Sequence, residues 1–332
     1  MTVPESTVTL PAADTRPGRL LGQLAAVLTL ACLCMLAMGA VHVSRMYGAR
    51  WEPRDLEWIN VAGFITSVIA AVWLIRLAGP SAVRAGAAAV LGTATVFVSI
   101  PGFPYPDLGQ PLFGCTVGWL ALNVCRAHGV VLDNGFPATP TQRLRLWRAT
   151  VLSAVFCAAT GYSFGYLVRF FRWLSIDGIP VMQDSQLSTL GISSPATVGL
   201  AIVYAVAFED VVIVAATAAL MTAAGRPRWE IYTLVCALEV ALHAYYGIPA
   251  IGAIIFAAGR LWLYLRYRSI LPLMAGHALW NAKDFLLWIP AAYRLPMVWC
   301  VLIPGLVFLN HRLRTAADKE PEIQRRLDRG AA

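Results

Sequence analysis

The sequence is poor in charge. Only 13% of its 332 residues are Asp, Glu, Lys or Arg, against roughly 25% in soluble globular domains. With 58% hydrophobic residues, that scarcity excludes a soluble fold. Lysine is nearly missing: two of the 26 basic residues are Lys283 and Lys319. No Cys-x-x-Cys pair occurs, and the seven cysteines (32, 34, 115, 125, 157, 236 and 300) sit mostly inside apolar runs. This excludes the loop-borne framework of a secreted disulfide scaffold, and they read as buried, inert thiols. His-Glu-x-x-His, Gly-x-Gly-Asp and Walker-type patterns are absent as well. No one-helix zinc protease or nucleotide loop therefore competes for the assignment. The net charge of +8 is dispersed between apolar runs rather than gathered in a patch. It marks topology, and no nucleic acid is expected as a partner.

What the sequence has in quantity is apolar length. Crossing a hydrocarbon core of roughly 30 Å takes about 20 mostly apolar residues. Ten runs approach that length: 20–43, 58–78, 83–100, 111–125, 149–168, 197–224, 230–247, 248–265, 270–289 and 295–310. The fourth and tenth are short. The fourth follows Pro101, Pro104, Pro106 and Pro111, which could also open a re-entrant segment. The first run is longer than the apolar region of a signal peptide and reads as an uncleaved anchor. With the N-terminus in the cytoplasm, ten crossings put eighteen Lys/Arg in cytoplasmic segments and six outside. That asymmetry predicts an all-α, polytopic transmembrane bundle of eight to ten spans with both termini cytoplasmic. Trp58, Trp147, Trp229 and Trp288 fall at run ends, where amphipathic rings favour the interface. The chain divides into an N-terminal tail (1–19), a scaffold of five spans (20–170), a polar linker (171–195), a second membrane unit (196–310) and a C-terminal tail (311–332). Abundant alanine and the near absence of lysine suggest a high-GC bacterial genome, hence a multi-pass protein of the bacterial cytoplasmic membrane.

The few ionisable groups inside the runs are unevenly placed. A charge at the bilayer centre costs roughly 2.5–3.5 kcal/mol or more. The first five runs hold only His42, Arg76 and Arg84, near run ends where they can snorkel. After residue 195 come Glu209, Asp210, Glu239, His243, Arg260, His277, Lys283 and Asp284. Glu239 and His243 share a helix face at i, i+4, and His277, Asn281 and Asp284 follow at i, i+4 and i+7. These groups could simply pair, Arg260 with Glu239 for instance, and tie helices together. They could equally do chemistry. Peptide hydrolysis needs a water, a base to activate it, and donors or a metal for the oxyanion. Glu209 suits the base, His243 and His277 could hold the water or a metal, and Asn281 could donate to the oxyanion.

Three short motifs, in order, resemble the CAAX-protease and bacteriocin-processing family (CPBP, or Abi) of intramembrane proteases. The first, normally Glu-Glu followed three residues later by Arg, is Phe208-Glu209-Asp210-Val211-Val212-Ile213-Val214. The second, normally Phe, three residues, His, is Glu239-Val240-Ala241-Leu242-His243. The third, His, three residues, Asn or Asp, is His277-Ala278-Leu279-Trp280-Asn281. The resemblance covers about residues 200–290. It implies a catalytic set of Glu209, His243, His277 and Asn281, with Glu209 activating water and the others positioning it, binding a metal or stabilising the oxyanion. If a metal such as zinc is used, Glu209, His243 and His277 would hold it. The substrate would be a membrane-associated protein or peptide, and the bacterial composition favours a bacterial membrane substrate over a prenylated protein.

The chain departs from the family pattern at three positions. Asp210 replaces the second Glu, Val214 replaces the Arg, and Glu239 replaces the Phe. Loss of that Arg leaves the acidic pair without its charge partner unless Arg260 or Lys283 supplies one from another helix. Asp210, Glu239, Arg260 and Asp284 are therefore expected as supporting groups, with Glu239 orienting His243. A catalytically inactive scaffold or immunity protein on the same fold, and a proton-coupled transporter, are the alternative readings. Run boundaries place His243 and His277 at depths differing by about 10 Å along their helices, so tilt or shifted boundaries must bring them together.

Overall fold

The computed structural model describes residues 16–132, 136–174 and 178–330. Most of the N-terminal tail and Asp177 of the linker lie outside the described residues. Among the described residues the protein is helical throughout, with one isolated β-bridge between Val181 and Gly247 and no strand.

Every apolar run becomes helix. The first half holds α1 (Pro17–Met46), α2 (Glu57–Leu77), α3 (Ala82–Val98), α4 (Gly109–Ala127) and α5 (Pro140–Leu174). A four-residue turn of helix, α6 (Gln186–Thr189), precedes α7 (Pro195–Ala205). A π-helical stretch, Val206–Ala216, joins α7 without a break to α8 (Thr217–Ala223). Then follow α9 (Arg228–Leu242), α10 (Ala253–Tyr267), α11 (Leu271–Asn281), α12 (Ala291–Met297) and α13 (Ile303–Gly330). Six stretches are long and apolar enough to cross a membrane: Pro17–Met46, Arg54–Leu77, Pro140–Leu174, Pro195–Ala223, Ile248–Tyr267 and Ala291–Pro321. The runs at 83–100, 111–125, 230–247 and 270–289 are helical as well, but fall outside those six.

Local sequence sets several of these boundaries. Pro17 and Pro195 occupy first-turn positions, where a missing N–H removes nothing. Ser194 Oγ accepts a hydrogen bond from the Thr197 amide while Thr197 Oγ1 accepts one from the Ser194 amide, a reciprocal cap. The runs at 230–247 and 270–289 do not stay α-helical to their ends. Helix α9 stops at Leu242 and gives way to 3-10 turns at Ala244–Tyr246 and Ile248–Gly252, while α11 tightens into a 3-10 segment, Ala282–Trp288.

The continuous helix Pro195–Ala223 is the centre of the molecule. Phe208 and every residue from Asp210 to Met221 along it are buried. Helix α4 comes close through Gly114 and Gly118, spaced four apart. A Cβ on Gly118 would lie 2.8 Å from the Ala207 carbonyl oxygen, and one on Gly114 would lie 2.9 Å from the Tyr204 ring. Small residues at this spacing let backbones approach where lipid supplies no hydrophobic drive. Polar side chains tie neighbouring helices: Thr95 bonds Thr116 at 2.7 Å, Ser67 bonds Ser99 at 2.9 Å, and Ser153 donates to the Leu273 carbonyl at 3.3 Å. Helix α5 lies against both α10 and α11, and α13 packs on α5 as well.

The thiols are less uniform than the sequence suggests. Cys32, Cys125 and Cys157 are buried, Cys34, Cys115 and Cys236 are partly buried, and Cys300 is exposed on the last apolar helix. Cys300 lies in a π-helical segment, Val298–Leu302, none of whose residues is buried, so its apolar flank remains open.

Candidate active site

The site starts from the π-helical stretch. A π turn carries its N–H bonds to i−5, as the Thr217 amide does toward Val212, and such segments recur at functional positions. It presents Glu209 and Asp210 toward α10 and α11. Asp210 is wholly buried and forms an ion pair with Arg260 on α10. Its other oxygen accepts a hydrogen bond from Nδ1 of His277 on α11, at 3.2 Å. Glu209 is looser: its Oε2 lies 3.9 Å from an Arg260 Nη and 3.9 Å from His277 Nε2, and its side chain is 16% exposed.

Arg260 thus supplies from α10 the cation that Val214 does not. Its guanidinium also covers the Phe256 ring at 3.9 Å from the centroid, one turn earlier on the same helix. Lys283, the other candidate partner, instead pairs with Asp284 at 2.8 Å and lies over Trp280 at 4.5 Å. Asp284 therefore sits on the rim with its own counter-ion, outside the Arg260 network. Arg260 meets Glu209 and Asp210 rather than Glu239.

His243 occupies the end of α9, where the helix gives way to the 3-10 turn. Its Nδ1 donates to the Glu239 carbonyl at 2.9 Å, while the Glu239 carboxylate stands 3.8 Å away. The rings of His243 and His277 flank Phe256 at 6.2 and 5.1 Å, both edge-on. The depth difference expected along the two helices is thus closed, and both imidazoles border one space.

That space is a cavity of about 420 Å³ whose walls include Glu209, His243, His277, Asn281, Phe256 and Trp280. The four residues expected to act together, carried on the π stretch, the end of α9, and α11, therefore converge on one void. Of the expected metal set, only Glu209 and His243 belong to the tightest donor cluster among the described residues. The third member is Glu239, and the three donor atoms lie within 4.8 Å of one another. His277 is turned instead toward Asp210.

Three features escaped the sequence reading. Phe256 stacks under Arg260, and the i, i+4 spacing of the two was a legible signal. Gln186 lines the cavity and donates to the Tyr245 hydroxyl at 3.3 Å; no local pattern marks it. The linker folds back as a strap. Met182 N–H donates to the Tyr246 carbonyl and Ile248 N–H to the Pro180 carbonyl, at 3.1 and 3.0 Å. Arg172 secures it through the Met182 and Gln183 carbonyls. The strap thereby fixes the turn that follows His243.

No family model, curated protein or solved structure matches the chain.

Proposed function

We propose that the protein is a multi-pass membrane peptidase of the CPBP type, cleaving a peptide bond in a membrane-associated protein or peptide. The observation that supports this reading is the convergence of Glu209, His243, His277 and Asn281 on one cavity. In the proposed reaction, Glu209 takes a proton from a water, whose oxygen adds to the scissile carbonyl carbon. His243, with the Nε2 lone pair free, accepts a hydrogen bond from the water, and Asn281 donates to the developing oxyanion. The C–N bond then breaks and Glu209 returns its proton to the leaving amine. Asp210, held by Arg260, fixes the His277 ring so that its Nε2 faces the Glu209 carboxylate. Arg260 stands in for the family's missing Arg, which removes the main argument for an inactive scaffold.

In the same reading the chain crosses the bacterial cytoplasmic membrane ten times with both termini inside. The four helical runs outside the six long apolar helices would complete the crossings beside them. Fusions of a periplasm-active and a cytoplasm-active reporter after each loop test that topology. The enzymatic part is tested with purified protein in lipid and a panel of membrane peptides. Glu209→Gln is expected to lower cleavage by about 100-fold or more, the range of a lost general base, and His243→Ala to lower it too. Cleavage by Glu209→Gln at the wild-type rate would overturn the mechanism.

A further inference from the structure

One turn before His243 on α9 stands a carboxylate that the proposed hydrolysis leaves idle. Glu239 is fully buried, and neither of its carboxylate oxygens has a hydrogen-bond partner. His243 Nδ1 is 3.8 Å away and already donates to the Glu239 backbone carbonyl. A buried carboxylate without a donor is strongly unfavourable. Arg260 does not relieve it, because that guanidinium is engaged by Asp210 and lies near Glu209.

We propose that Glu209, Glu239 and His243 form a binding site for one divalent transition-metal cation of the zinc or manganese type. Charge is the first argument. When Glu209, Asp210 and Glu239 are all ionised and the histidines neutral, three negative charges face the one positive charge of Arg260, and a divalent ion would cancel the remainder. Donor chemistry is the second: two carboxylates and an imidazole form a mixed O/N set suited to such metals. The third is the His243 tautomer. Because Nδ1–H donates to a carbonyl, Nε2 keeps its lone pair, and that backbone bond orients the ring as metal-bound histidines usually are.

Geometry is compatible with this site. Donors in a tetrahedral zinc site stand about 3.4 Å apart at metal–donor distances near 2.1 Å. One donor atom from each of the three residues, either ring nitrogen counting for His243, lies within 4.8 Å of the others, so bringing Nε2 onto a shared ion is a matter of side-chain rotation. Glu239 and His243 also share one helix face at i, i+4, the spacing that lets two side chains of one helix hold one ion. The site stands independently of the peptidase reading. A cation on Glu209 would draw on the carboxylate that accepts the water's proton, so binding is measured without substrate.

The test is titration of chelator-stripped, full-length protein in lipid nanodiscs with Zn²⁺ by calorimetry and with Co²⁺ by visible absorption. One equivalent of Zn²⁺ is expected, with d–d bands for Co²⁺. Glu239→Gln, nearly isosteric, should weaken Zn²⁺ binding by at least about tenfold, the low end of losses seen even for outer partners of metal ligands. Glu209→Gln gives the same loss should Glu239→Gln fail to fold, as judged by helical circular dichroism and monodispersity. His311→Asn, on the exposed tail helix, should bind as wild type. No saturable uptake by folded wild type, as expected if Glu239 simply holds a proton, would overturn the site. So would wild-type affinity in both glutamine variants.

Discussion

Arg260 and Asp210 form an ion pair in which neither side chain reaches the surface. The guanidinium comes from α10, two helices along the chain from the π-helical stretch that carries the carboxylate. The pair therefore fastens α10 to the central helix and holds the acceptor for His277.

Breaking this pair from one side should be severe. Arg260→Met leaves Asp210 buried with only His277 as a donor, and loss of one partner of a buried pair costs about 3–5 kcal/mol. The double variant Arg260→Met/Asp210→Leu removes both charges and should recover most of that loss, because an apolar pair in the same space carries no desolvation penalty. Unfolding of both variants in detergent by SDS titration gives the comparison. Equal destabilisation by the single and double changes would show that packing, not charge, sets the cost.

Helical content was legible because apolar length is a local property, and each of the ten runs contains helix. Glu209, His243, His277 and Asn281 were legible as a set because ionisable and amide groups are rare in those runs. Arg260's partner was not, since spacing along one helix says nothing about the facing helix. Asp284 was drawn into the set by its i+7 spacing from His277, which assumes a continuous α-helix. The 3-10 segment starting at Ala282 advances each residue by about 120° instead of 100°. By Asp284 the direction has turned by about 60°, toward Lys283. The π stretch around Glu209 left no signature in composition, because it arises from how the central helix packs.

Asp284→Asn should consequently leave stability within about 0.5 kcal/mol of wild type, the usual scale for partly exposed surface pairs. Its counter-ion Lys283 is 40% exposed, so water replaces the lost contact. Thermal unfolding in one detergent measures this. A loss above about 2 kcal/mol would place Asp284 inside the buried network.

Gly247 is the turn on which the linker strap is seated. Its φ is +74°, a region that disfavours any side chain, and a Cβ there would collide with the Pro180 carbonyl. Gly247→Ala should lower stability by about 1–3 kcal/mol and release the bonds from Met182 and Ile248. Hydrogen exchange at those two amides reads the release directly. Unchanged protection would show that the strap is held by Arg172 alone.

Two Gly→Ala substitutions on facing helices should move stability in opposite directions. A Cβ on Gly276 would lie 2.5 Å from both the Ser153 Cβ and the Thr150 carbonyl oxygen, and 2.8 Å from the Ala154 nitrogen. Two of these atoms are backbone, so no rotamer change relieves the clash and α11 must move off α5. Overpacking of this kind costs about 1–3 kcal/mol, and His277, the next residue, moves with it. Gly165, on α5 itself, has nothing within 4 Å of the same added carbon. There alanine only improves helix propensity and restricts the unfolded chain, a gain of up to about 1 kcal/mol. Melting temperatures of the two variants in one lipid system should therefore fall on either side of wild type. If Gly276→Ala matched Gly165→Ala, the α5–α11 contact would be loose enough to admit a methyl group, and His277 would not be held in place by this packing.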